Sequence, residues 1–143
     1  HRVLKPSSPL FRGFDDVFYA PHSRYTEVWE ADIRRAPGLE LIAVSSEAGV
    51  YAVKTEDSRQ FFVMGHPEYD PDTLAREYWR DVEKGLDIAV PANYFPGDDP
   101  TRVPVVRWRS AGQLLYTNWL NYYVYQTTPY DLNKVSEGGA EQE

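Results

Sequence analysis

Two residues of this 143-residue chain have the types and the spacing for proton-transfer chemistry: His66 and Glu68 stand two positions apart in "MGHPEYD". A carboxylate beside an imidazole selects its tautomer and raises its basicity, which is the base-and-orienter part of a nucleophilic triad. An extended backbone sends two side chains at this spacing to the same side. Pro67 between them biases His66 away from helix and fixes its own φ, so it stiffens the pair. The third member of such a device is a nucleophile, and none is offered. The chain contains no cysteine, and no serine sits in a Gly-x-Ser-x-Gly elbow. On these letters alone a hydrogen-bonded histidine at a strand end is the ordinary reading, with the catalytic one beside it.

Ser23 lies in "APHSRYTEV", among polar side chains that suit the lining of a cleft or, equally, a turn in which Ser23 bonds its own backbone. Arg80 falls on the polar side of a helical pattern with Glu77 and Glu83 each three positions away, the spacing of a surface ion pair. As a ligand-binding group its planar fork would match a carboxylate. A metal site built from His22, His66, Glu68 and Asp70 has no supporting ligand spacing, so no metal is expected. The aromatic run "YTNWLNYYVYQ" lacks the Lys and Arg of a base-stacking platform and reads as packing.

The elements that must position these residues are legible to different degrees. "LELIAVSSEAGVYAVKTEDSRQFFVMGH" reads as three consecutive strands with turns at Glu47–Gly49 and Glu56–Arg59. The third is apolar on both faces, and burial on both is expected. "DPDTLAREYWRDVEKG" is a helix with Asp70 as N-cap, Pro71 at the first helical position and Gly85 just past the end. Its apolar sector is Leu74, Ala75, Tyr78, Trp79 and Val82. The proline-punctuated residues 86–106 read as an extended excursion. A second helix, from near Ser110 to Gln126, is apolar almost all the way round and calls for cover on several sides, from a core or a partner chain. Residues 1–28 read as irregular, aromatic loop, and the acidic residues 133–143 as a disordered tail.

Composition removes several function classes. Net charge is −7 with no basic run, which disfavours nucleic acid or an anionic membrane surface as partner. No apolar stretch approaches the ~20 residues of a bilayer span, and signal-peptide architecture is missing. Zero cysteine excludes a disulfide framework and is compatible with a cytoplasmic location. The chain opens on His1 without a helix or strand start signal, so it reads as the C-terminal part of a longer polypeptide.

The segments "RGFDDVFYAPHSRYTEV", "GHPEYDPDTLAREYWRDVEKGLD", "NYFPGDDP", "WRS" and "NWLNYYVYQTTPYDL" resemble the C-terminal half of the homoserine O-acyltransferases of methionine biosynthesis, the O-succinyltransferases and their O-acetyl relatives. The resemblance runs from about Arg12 to Leu132. It implies an α/β fold: the C-terminal half of a class I glutamine amidotransferase-like, flavodoxin-like open sheet with flanking helices, residues 1–132 forming that half of the catalytic domain. It implies His66 as general base, Glu68 as its orienting carboxylate, and Ser23 and Arg80 as homoserine-binding residues. The nucleophilic cysteine and active-site lysines would lie in the N-terminal half, so this chain alone would be inactive. The co-substrate would be succinyl-CoA or acetyl-CoA, with L-homoserine as acceptor and no cofactor. A homodimer is suggested only by the last helix. Two positions depart from the family pattern: Ala111 stands where a histidine is expected, and Met64 replaces a smaller residue. A glutamine amidotransferase or peptidase-like relative and a non-catalytic interaction module remain as competing readings.

Overall fold

The computed structural model describes residues 1–128 and 131; the expected tail over 133–143 lies outside these residues. Strands β1 (Arg2–Val3), β2 (Leu39–Ser45), β3 (Gly49–Thr55) and β4 (Phe61–Val63) form one open sheet in sequence order, antiparallel throughout. Helices α1 (Glu30–Arg35), α2 (Thr73–Glu83) and α3 (Arg109–Trp119) accompany it, and α3 continues into a π-helical turn, Leu120–Val124. The α/β class and the three consecutive strands are as the sequence predicts.

The β2–β3 hairpin closes where Ser45 Oγ accepts the backbone N–H groups of Glu47 and Ala48, both at 3.1 Å. Gly49 completes the turn at φ +67°, a left-handed conformation that glycine adopts without Cβ strain. The register pairs Leu41 with Val53 and Ser45 with Gly49, with a bulge around Ile42. The buried side chains of the sheet fall into two packing clusters. One joins Ile42, Ala43, Tyr51 and Ala52 to Leu10, Phe11, Phe18 and Leu115 of α3. The other joins Leu41, Val50 and Val53 to Ile33 of α1. Ile42 and Val53 are inaccessible to solvent, and each such side chain contributes about 2 kcal/mol by leaving water. A third cluster, Tyr94, Phe95 and Trp108, ties the proline-rich excursion to Leu74, Ala75 and Tyr78 of α2.

Four expectations are corrected. β4 is an edge strand, paired only with β3. Phe61 packs on the core, but Phe62 and Val63 are exposed, so burial on both faces does not hold within this chain. α2 starts at Thr73, with Asp72 rather than Asp70 at its N-cap and Pro71 before the helix. Asp70, Pro71 and Asp72 form a preceding turn instead, pinned where Tyr94 Oη donates to the Pro71 carbonyl at 2.6 Å. On α2 only the Leu74–Ala75–Tyr78 part of the apolar sector is packed; Trp79 and Val82 are open, and Asp81 is the buried residue. Finally, Arg2–Val3 is a strand, made by pairing to Val44 and Ala43 some forty residues away, a contact that local sequence does not encode. Gly85, at φ +73°, ends α2 as predicted. On the last helix Gly112, Leu115 and Asn118 are buried, whereas Tyr116, Trp119 and Leu120 are exposed in this chain.

Candidate active site

β4 ends at Val63, and the chain reaches His66 through Gly65 in close quarters. A Cβ at Gly65 would stand 2.8 Å from the buried Tyr51 ring and 3.0 Å from His22 Nε2, so glycine is required by contact here. The His66 N–H then donates to the Pro21 carbonyl at 2.8 Å, fastening the residue to the loop that carries His22 and Ser23.

His66 Nδ1 and Glu68 Oε1 are 2.8 Å apart. The predicted pair therefore forms, but by a different route. The backbone is not extended: the Tyr69 N–H donates to the His66 carbonyl at 3.2 Å, closing a turn that folds Glu68 back over the ring. Proline suits the second position of such a turn. A carboxylate at Nδ1 draws the ring proton to that nitrogen and leaves the Nε2 lone pair as acceptor. The imidazole is open, with 35% of the side chain accessible.

The ring of Tyr69 lies flat on the His66 imidazole, centroids 4.4 Å apart at 16°. Tyr69 is held at both ends. Its carbonyl accepts from Trp108 Nε1 at 3.1 Å, and its hydroxyl donates to Glu77 Oε1 on α2 at 3.0 Å. Burial, followed by that bond to a carboxylate, raises its pKa. Ser23 lies beside the same hydroxyl, half-buried. Across α2, Arg80 presents its fork to Asp81, Nε to Oδ1 at 2.7 Å and Nη2 to Oδ2 at 2.8 Å. This replaces the expected pairing with Glu77 or Glu83, because a buried carboxylate next door offers two acceptors. The Asp81 bonds come first among the causes that raise the Arg80 pKa, with weaker contributions from the charges of Glu77 and Tyr25. Two N–H groups of Nη1 and one of Nη2 remain to Arg80.

His22 stands behind the pair. Arg24 Nη1 donates to its Nδ1, and His1 Nε2 lies 2.7 Å from its Nε2, the two rings stacked at 4.8 Å. Burial above all, then the charges of Arg24 and His66, pushes its pKa down to about 4, so it is neutral near pH 7. Two hollows flank the His66 turn. A cleft of about 670 Å³ is lined by His22, Arg24, Tyr25, Arg107 and Trp108. A smaller one of about 230 Å³ is lined by Glu68, Tyr69, Gln113 and Tyr116. His66 lines neither hollow; Pro21, which accepts its N–H, lines the larger one, and Pro67, which follows it, lines the smaller. No group of three or more metal-binding side chains occurs among the described residues, and no helix of the described residues is long and apolar enough to cross a membrane.

Of the predicted residues, His66 and Glu68 are in direct contact, and Ser23 joins them through Tyr69. Arg80 sits further along α2 on the side of Glu77. Sequence reasoning overlooked Tyr69 and gave Glu77 only the role of an ion-pair partner. "PEYD" places an aromatic ring where a turn returns it to the histidine, a signal too short to weigh on its own. Ala111, the departure on α3, packs against the main core, and Met64 packs on the second cluster.

Comparison with known proteins gives this site a family. The family model for homoserine O-succinyltransferase matches residues 1–130. A homoserine O-acetyltransferase from Brevibacillus brevis is 61% identical over 133 residues, covering 93% of this chain and 44% of that protein. One from Acetivibrio thermocellus is 58% identical, covering 94% and 44%. A homoserine O-succinyltransferase from Alteromonas mediterranea is 56% identical, covering 96% and 44%. The chain thus spans a little under half the length of the curated relatives it matches, and it belongs to the homoserine O-succinyltransferase family.

Proposed function

We propose that residues 1–132 are the C-terminal half of the catalytic domain of a homoserine O-acyltransferase with a class I glutamine amidotransferase-like sheet, and that they supply its base and its amino-acid site. The enzyme moves an acetyl or succinyl group from acyl-CoA to the hydroxyl of L-homoserine, a cytoplasmic step of methionine biosynthesis. The nucleophile is a cysteine thiolate from the portion of the polypeptide that this chain does not span. The thiolate attacks the thioester carbonyl, the carbon–sulfur bond to CoA breaks, and the acyl group remains on cysteine. His66 Nε2 then takes the hydroxyl proton of homoserine as its oxygen attacks the acyl carbon, and the cysteine sulfur leaves. Glu68 holds the ring in the required tautomer and balances the imidazolium charge that forms. Arg80 and Ser23 hold the amino acid so that its hydroxyl points at the acyl carbon.

The observation that carries this reading is the 2.8 Å His66–Glu68 contact on an open imidazole, in a chain of this family. With no cysteine of its own, the chain by itself releases no CoA. The test is to combine the chain with the upstream portion and assay CoA release from acetyl-CoA and from succinyl-CoA, with L-homoserine or with glutamine. Release that depends on homoserine supports the assignment. Release that depends on glutamine, or none at all, overturns it.

A further inference from the structure

Both ring nitrogens of His22 are hydrogen-bonded, yet the acyl-transfer steps above give this residue no part. Arg24 Nη1 donates to its Nδ1, and its Nε2 lies 2.7 Å from His1 Nε2. A guanidinium has donors only, so Nδ1 carries no proton. The proton of the neutral ring is therefore on Nε2, which donates to His1. Arg24, His66, His1 and Tyr51 are the charged or titratable groups around the ring. None is an anion near neutral pH, since burial raises the Tyr51 pKa, so nothing there favours a charged His22. Both of its partners are anchored. Arg24 Nη2 donates to the Ala48 carbonyl in the β2–β3 turn. The His1 nitrogen donates to the Phe18 carbonyl at 2.8 Å, and the Phe18 N–H returns a bond to the His1 carbonyl at 2.9 Å. His22 thus joins the loop it sits on to the hairpin turn and to the start of β1.

We propose that His22 is a positioning residue for the general base: locked in its Nε2–H tautomer between Arg24 and His1, it fixes the Pro21 carbonyl on which the His66 backbone hangs. The inference rests on the homoserine acyltransferase reading above. The Pro21 carbonyl belongs to the peptide that enters His22, and it accepts the His66 N–H at 2.8 Å. A Cβ at Gly65 would stand 3.0 Å from His22 Nε2 and 3.1 Å from that carbonyl oxygen, so the segment leading to His66 lies directly on the Pro21–His22 unit. A shift of His22 is therefore passed to the base through backbone, with no flexible side chain between them to absorb it. Glu68 orients the His66 ring, and His22 places the residue that carries it.

The experiment loads the full-length polypeptide with the acyl group and mixes it with saturating L-homoserine, so that the step measured is the one assigned to His66. Two variants separate hydrogen bonding from packing. His22→Asn loses the ring but keeps an amide oxygen near the place of Nδ1, where it can accept from Arg24. His22→Phe keeps a ring against His1 and Tyr51 and removes both bonds. His22→Phe is expected to discharge the adduct about 10-fold more slowly, and His22→Asn to stay within about 3-fold of wild type. The opposite order, which a space-filling role would give, overturns the proposal. So does equal loss in both variants, or a change confined to the KM for homoserine, which would tie His22 to Ser23 rather than to the base. Side-chain nitrogen NMR of the histidine-labelled wild-type protein at neutral pH is expected to show His22 uncharged with its proton on Nε2. A charged ring, or a proton on Nδ1, contradicts the proposal even if neither variant folds. Wild-type adduct that homoserine does not discharge removes the acyltransferase reading itself, and that result is seen before any variant is made.

Discussion

Replacing Gly112 by alanine tests whether α3 holds the His66–Glu68 turn in place. Gly112 is buried on α3 where the helix passes the His66–Glu68 turn. A Cβ there would stand 2.8 Å from the Pro67 carbonyl oxygen and 3.2 Å from Pro67 Cβ. The first atom is backbone and cannot rotate away. The turn is also fastened on either side of the contact, by the His66 N–H on Pro21 and by Trp108 Nε1 on the Tyr69 carbonyl. The whole turn must therefore retreat by about 0.5 Å, the tolerance within which a reacting constellation has to be kept. Alanine gains about 1 kcal/mol of helix propensity over glycine, and overpacking costs about 1–3 kcal/mol, so stability falls by about 0–2 kcal/mol. The effect on catalysis is larger in proportion. If a 1 Å misplacement costs about 100-fold, half of that costs about 10-fold in kcat. The assay is kcat for homoserine-dependent CoA release together with the melting temperature, for Gly112→Ala in the full-length protein. An unchanged kcat with a raised melting temperature, the result of helix propensity acting alone, would refute the idea that this contact seats the turn.

Four further outcomes are expected. Glu68→Gln should lower kcat about 10-fold: a charge-assisted bond contributes about 1.5–3 kcal/mol, and side chains 35% and 53% exposed place this one near the lower figure; steady-state kinetics that show no loss would remove the orienting role. Arg80→Lys should raise the KM for homoserine with little change in kcat, because a point charge cannot serve Asp81 and a substrate carboxylate together; an unaltered KM would leave Arg80 as the partner of Asp81 alone. Asn118→Leu strands the carbonyls of Leu10 and Arg12, which now accept from its Nδ2 at 2.9 and 2.8 Å. That should cost about 2 kcal/mol and several degrees of melting temperature in a thermal scan, and an unchanged scan would contradict the packing of α3 described above. His22, mainly through burial, is held near pKa 4 against an ordinary 6.5. The unfolded chain therefore binds the extra proton first, and stability should decline as pH falls from about 6.5 towards 4; urea melts of wild type and His22→Gln should converge on acidification, and parallel curves would contradict this.

The parts of the fold that sequence could reveal are those in which neighbouring residues carry the cause. Alternation and turn chemistry marked β2 and β3, and Gly85 marked the end of α2. β1 and the edge position of β4 depend on which strand lies alongside, which no local pattern records. The α1 helix went unnoticed, although Glu30 and Asp32 in its first turn and Arg34 and Arg35 in its last complement its dipole. At six residues it is held mainly by Ile33 packing on β2 and β3. The site shows the same division. His66 and Glu68 were identified because two letters at a fixed spacing carry a chemistry, yet their contact arises from a turn that an extended reading did not anticipate. Tyr69 and Glu77 escaped notice because their pairing spans a turn and the start of a helix. Ser23 and Arg80 were picked out by family likeness. The geometry adds why each is worth testing: one lies at the Tyr69 hydroxyl, and the other keeps spare donors beside Glu77.

The most direct test of the account is a single-turnover measurement on the full-length protein. Acyl-CoA is added to load the enzyme, the acyl adduct is followed by intact mass, and L-homoserine is then supplied. Wild-type adduct should discharge on mixing with homoserine, and the His66→Ala adduct should discharge about 10²–10⁴-fold more slowly. Discharge from His66→Ala at the wild-type rate would show that this imidazole takes no proton from the attacking hydroxyl.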